Sequence, residues 1–375
     1  MRKSFVFMLF GLFMLFVLTS CRPPELEGAY VDYNAKRIDS ALELAKQATE
    51  KYPTNPEAPY LLGLIYGEKG MFKEMMESFQ KSLNISPQFE KEITQTKTYY
   101  YQSEYKSAYD SYISYQKISG DTSERATKIL DNAILHAENA SLIEPDDYSS
   151  VKLAGLAANY KNDMDLAEKE FTKLTEIKPD TVDGWFWLGR LSFNKQDYQK
   201  AIEYNKKANA IDSTYVPALE LIAFSYESLK DTAKTIDAYK AAIKADPKNV
   251  SYLFNLGLVF NKLAASSDRS TDAFKTNYEN AEKYFAKAID LNPDELDEYQ
   301  RSLYDSNLEI LYSLKCVAEI QQRKFEEAEE TAKEGIDNFP DSADLYEYLF
   351  ISLSNLGKTK EAKEADAKAK QLKGE

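Results

Sequence analysis

Histidine occurs once in the 375 residues, at position 136, and cysteine only at 21 and 316. A lone histidine without cysteine neighbours assembles no transition-metal cluster. His136 lies in the apolar run Ala133–Ala137 and reads as a structural residue at a solvent or groove edge. No GxSxG elbow, HExxH helix or glycine-rich phosphate loop is present. Acidic pairs such as Glu326-Glu327 and Glu329-Glu330 read as solvated helix faces, and Asp146-Asp147 as helix caps. The expectation is therefore no catalytic residue, no enzyme, no metal and no cofactor. Thirteen glycines and twelve prolines are few for this length, and strand-like alternation is lacking, which leaves an all-α chain.

Basic residues are in deficit. The formal charge is −14, and loss of Arg2 and Lys3 with a cleaved leader makes it two units more negative. Such a surface repels nucleic acid and anionic headgroups, so neither a nucleic-acid partner nor attachment by a basic patch is expected.

Arg2 and Lys3 precede an apolar run from Phe5 to Leu18, too short to span a bilayer, followed by Leu18-Thr19-Ser20-Cys21. Those four residues resemble the lipobox of bacterial lipoproteins. The resemblance implies a signal peptide over 1–20, lipidation at Cys21 and a membrane-anchored mature protein. The alternative is an ordinary secretory signal with a chance cysteine. With Cys21 lipidated, Cys316 has no disulfide partner and reads as a buried thiol in a small-residue slot. Residues 21–28, RPPELEG after the cysteine, read as a short lipidated tether. The resemblance to lipoprotein sorting implies, from Arg22 after the cysteine, the outer rather than the inner membrane, with Glu25 and Glu27 as candidates for part of a surface-export signal.

From Ala29 onward one pattern recurs. In Val182–Ser213, Trp185, Leu188, Gly189 and Ser192 share one face of a first helix, Asn194–Asp197 break it, and Tyr198, Ala201, Ile202 and Ala208 mark a second. Helix-ending residues recur at Pro53, Pro87, Pro145, Pro179, Ser213, Pro247, Pro293 and Pro340, with spacings of 34, 58, 34, 34, 34, 46 and 47. Other units follow suit: Pro59, Leu62, Gly63, Tyr66 and Phe79; Val151, Ala154, Gly155, Ala167 and Phe171; Leu253, Leu256, Gly257, Phe260, Ala281 and Phe285. This period and these residues resemble the tetratricopeptide repeat (TPR) family. The resemblance implies a TPR-type helical-hairpin solenoid, a right-handed superhelix of about eight to nine units over residues 29–375, binding protein partners on its concave face. Extra residues predict extended helices near 90–118, which should project, and 294–322, with a loop near Ser266–Asp272.

Residues just off the packing stripe of the first helices are the candidate partner-binding groove. They are Phe186, Arg190, Phe193 and Asn194, flanked by Lys152, Asn159 and Tyr160 before them and Phe224, Phe254 and Asn261 after. Phe224 and Phe254 can equally pack between adjacent first helices. Tyr101, Tyr105, Tyr109, Tyr112 and Tyr115 follow the helical period with Ala108 and read as a core stripe, while Tyr99 and Tyr100 lie off it. The function these readings support is a lipoprotein scaffold in the cell envelope, reaching the membrane through its lipid and protein partners through the groove. The alternative is a glycan- or solute-binding lipoprotein of a nutrient-uptake system.

Overall fold

The computed structural model describes residues 22–118, 120 and 122–374; the expected signal peptide and Cys21 lie outside them. The described residues form eighteen α-helices and two single 3₁₀ turns, with no strand among them. They divide into two compact units, one ending at Glu170 and one beginning at Phe171.

The first unit holds α1 (Pro24–Asn34), α2 (Ile38–Lys51), α3 (Glu57–Glu68), α4 (Phe72–Ile85), α5 (Glu90–Gln116), α6 (Glu124–Ile143) and α7 (Tyr148–Lys161). The boundary falls inside α8 (Met164–Ile177). The second unit continues with α9 (Val182–Asn194), α10 (Tyr198–Ile211), α11 (Val216–Ser228), α12 (Thr232–Ala245), α13 (Val250–Ser266) and α14 (Asp272–Ile289). It ends with α15 (Glu298–Gln321), α16 (Phe325–Asn338), α17 (Ala343–Asn355) and α18 (Thr359–Lys373). Within each unit consecutive helices pack as hairpins, and each hairpin packs on the next.

Local chemistry accounts for the punctuation. Side chains at helix starts accept from the first free backbone N–H groups, as Asp147 does from Ser150 at 2.7 Å, Asp297 from Gln300 at 2.8 Å and Asp231 from Lys234 at 3.2 Å. Inside the hairpins the chain reverses through one residue in the left-handed region. Glycine takes this place at Gly70 and Gly357, but Lys36, Asn162, Gln196, Lys230 and Arg323 take it elsewhere. Apolar residues of the two faces then meet: Leu61, Ile65, Met75 and Phe79 are buried in the first unit, and Leu253, Leu256, Phe285 and Leu311 in the second.

Several expectations need correction. Residues 22–28 are not a free tether, because α1 starts at Pro24 and buries Leu26 and Ala29 fully against α2. Proline at the first helical turn costs nothing there, since its missing N–H would have no helical partner. Glu25 is engaged by Lys51 and by the Tyr52 hydroxyl at 2.7 Å, so it ties α1 to α2. The long helix α5 does not project freely. It pairs along α6, where Glu104 accepts from Asn139 Nδ2 at 2.9 Å and meets His136 Nδ1 at 2.7 Å. Its tyrosine stripe divides: Ala108, Tyr112 and Tyr115 are buried, Tyr101 and Tyr105 are half-buried, and Tyr109 is exposed. Tyr99 is exposed as its place off the stripe suggests, but Tyr100 packs 5.5 Å from Phe72, and its ring closes over Gly67.

Candidate functional site

The 34-residue period places the candidate residues at equivalent positions of successive first helices. Lys152, Phe186, Glu220 and Phe254 share one position; Arg190 and Phe224 share the next along the face; Asn159, Phe193, Glu227 and Asn261 share a third. Lys152, Asn159 and Tyr160 belong to the first unit, on α7. There Tyr160 is exposed and packs at a tilt against Tyr112 and Tyr115 of α5, with ring centroids 6.0 and 5.3 Å away. Lys152 lies half-buried 6.0 Å above the Tyr148 ring, and Asn159 is half-buried. Burial raises the Tyr112 phenol to about 12.

The second unit carries the rest, and it corrects one of them. Phe186 is not a groove residue: it is 6% exposed, packed with Ala208 and Ala218 and edge-on to Tyr215 at 5.2 Å. Its neighbour Trp185, expected in the core, is the less buried of the two. It stacks on Tyr204 at 6.1 Å beneath the Lys207 ammonium at 4.5 Å, and its indole N–H donates to the Pro179 carbonyl at 2.9 Å. A phenyl ring has no polar atom to satisfy and an indole has one, which decides which of two adjacent aromatics goes inward. Phe224 and Phe254 are half-buried against the core cluster of α11 to α14, so they pack between helices. Phe193 is half-buried, edge-on to Tyr198 at 5.5 Å, Asn194 is exposed, and Asn261 is half-buried.

Arg190 is the candidate that keeps an open, charged presentation. It is exposed, and its guanidinium lies 5.3 Å from the centroid of Trp187 on the same helix. Its positive field reaches two groups on or beside α11. Burial raises the Glu220 carboxyl above its usual range, and Arg190 opposes that rise; burial and Asp183 raise the Tyr215 phenol, and Arg190 again opposes. An exposed guanidinium and its indole thus stand within electrostatic reach of a half-buried phenol and a half-buried carboxyl. These groups bind by stacking, hydrogen bonding and charge. Sequence reasoning passed over Trp187, although it stands three residues before Arg190 and so on the same helical face.

Cys316 is fully buried, its thiol pushed well up by burial and oriented towards the Ala328 carbonyl at 3.8 Å. That is the environment of an inert packing thiol. No helix among the described residues is long and apolar enough to cross a membrane.

Family models described as tetratricopeptide repeat match residues 152–215 and, separately, 56–89, 216–249 and 273–295. The photosystem I assembly protein Ycf3 of Prochlorococcus marinus (strain NATL2A) is 26% identical over 147 residues, covering 36% of this chain and 85% of that protein. Among solved structures, MamA shares 21% identity at a TM-score of 0.38, covering 44% of this chain and 90% of that one. The P58(IPK) TPR domain shares 16% at a TM-score of 0.31, with 92% of both chains covered.

Proposed function

The chain carries tetratricopeptide repeats across residues 56–89, 152–249 and 273–295, and from that premise we propose that it is a non-enzymatic scaffold. It holds a protein partner at a bacterial cell envelope, with lipid on Cys21 as the anchor. The outer membrane is the favoured location, on the ground that Arg22 follows the cysteine.

The observation that carries the reading is Arg190. A guanidinium left exposed on a first-helix face, stacked on Trp187 and held beside a half-buried Glu220, contributes little to the core and is well disposed to anchor a partner. The description of Ycf3 as an assembly protein supports a role in holding other proteins.

One experiment tests both halves: affinity capture from detergent-solubilised envelopes, with acyl labelling, for the wild-type chain, Cys21→Ala and Arg190→Ala. Cys21→Ala is expected to lose the label. Arg190→Ala is expected to keep it, to weaken the partner by about 1–4 kcal/mol and to shift stability by about 0.5 kcal/mol or less. A labelled Cys21→Ala chain sinks the anchor, and undiminished partner recovery by Arg190→Ala sinks the binding face.

A further inference from the structure

The twelve residues that lengthen the α13–α14 hairpin beyond the 34-residue period do more than extend two helices. Their loop places Arg269 at an edge of the second unit where the turns of three hairpins come together. The α15–α16 turn adds Arg323, held in the left-handed region at φ 63°, and the first turn of α14 adds Lys275. Around these three cations lies a surface cavity of about 550 Å³, whose remaining polar lining is the amides of Gln321, Gln322 and Asn355. No carboxylate lines it. Phe274 and Phe325 supply apolar wall.

The charges around it leave the arginines uncommitted. Glu279 reaches Lys275 at 3.8 Å, the long end of an ion pair. Glu282 is occupied by Lys324 at 2.7 Å and by Gln322 Nε2 at 2.8 Å. Among the described residues no carboxylate pairs with Arg269 or Arg323. In a chain of net charge −14, two unpaired arginines beside a lysine whose one acid is distant are an unbalanced local field.

We propose that this cavity binds a phosphate monoester. Guanidinium groups present planar forks that match oxyanions two bonds at a time, and a lysine adds a point charge. A phosphate monoester carries about −1.5 to −2 at pH 7, which suits three cations better than one carboxylate does. The phenylalanine walls take the carbon part of the ester. The ester is either a soluble compound or a lipid headgroup, which share this chemistry.

The test is calorimetric titration of the purified full chain with inorganic phosphate, and flotation with phosphatidic acid vesicles against phosphatidylcholine vesicles. Saturable one-to-one phosphate binding is expected, weakened at least tenfold by Arg269→Gln and by Arg323→Gln. Arg301→Gln, on α15 and paired with Asp305 at 3.2 Å, is expected to bind as wild type. Arginine-dependent flotation with phosphatidic acid identifies a headgroup source; phosphate binding without flotation identifies a soluble one. Helical melting of each variant guards against misfolding, since the substituted side chains lie in turns. Absent phosphate binding, or binding indifferent to both substitutions, overturns the proposal.

Discussion

In the α3–α4 and α13–α14 hairpins a phenylalanine ring closes over the first-helix glycine, whereas in α9–α10 an asparagine stands in the same place. A Cβ on Gly63 would meet the Phe79 ring at 2.5 Å, and one on Gly257 would meet Phe285 at 2.4 Å. On Gly189 it would meet Asn205 Nδ2 at 2.2 Å. All three second-helix residues are essentially buried, so the glycine makes room in each case and only the occupant differs. The rings are apolar and fill their slots. Asn205 turns its Nδ2 back to the Ala201 carbonyl at 2.8 Å and leaves Oδ1 buried without a protein partner. The same backbone thus closes over a ring in two hairpins and over an amide in the third, and the third also presents Arg190 and Trp187.

The most forceful way to break this comparison is to empty the slots. Phe79→Ala or Phe285→Ala removes a fully buried ring and is expected to cost about 3–5 kcal/mol in chemical denaturation. Asn205→Ala removes a smaller side chain and one unpaired acceptor, and is expected to cost less than half as much. Equal losses in all three hairpins would mean that the amide contributes as much as the rings.

Much of this was legible beforehand. The glycines of the first helices, the small residues of the second and the prolines beyond them carry the hairpin pattern, because helix period and helix termination are local properties. Less legible was anything set by a choice between neighbours. Trp185 and Phe186 differ by one residue, and the hydrogen bond that draws the indole outward is to the Pro179 carbonyl, which no periodicity reveals. A short first helix near Tyr30 and Tyr33 is legible in the sequence, but its start at Pro24 was hidden because PPELEG is polar and opens on proline, while the two residues that bury it, Leu26 and Ala29, are too few to make a pattern. Gln196 read only as part of the polar break Asn194–Asp197, and nothing marked Lys230 or Arg323 as turn residues, since left-handed backbone is normally signalled by glycine. Of the candidate site, Arg190 was found by its place off the stripe, and the cavity around Arg269 and Arg323 was not, because its walls come from three hairpins far apart in sequence.

Filling the polar slot sharpens the comparison with a smaller effect. Asn205→Phe restores the occupant that Gly63 and Gly257 face, removes the unpaired carbonyl and adds apolar area beneath Gly189. A gain of about 1–2 kcal/mol is expected by denaturant titration. A loss instead would show that the α9–α10 hairpin is closed more tightly than its two counterparts and that the ring is overpacked there.

The smallest expected effect concerns a polar interior that does have partners. Glu319 on α15 is 1% exposed, accepts from Lys315 Nζ at 2.9 Å and from the Thr331 hydroxyl at 3.2 Å, and leaves Oε2 unpartnered. Burial raises its carboxyl above the usual range, and Lys315 only partly offsets this. A carboxyl with a raised native pKa binds more protons folded than unfolded. It therefore favours the fold most at low pH, and that contribution declines once the pH passes the unfolded value of about 4.3. The decline continues to the raised native value and then levels off. Glu319→Gln keeps an oxygen for Lys315 and Thr331 but cannot ionise, so its stability relative to wild type should rise across that window and stay flat above it. Paired thermal melts of the two chains at several pH values read this difference directly. A variant that loses ground as pH rises would mean that the ion pair with Lys315 outweighs desolvation. The polar interior at Glu319 would then be a net stabiliser, unlike the one at Asn205.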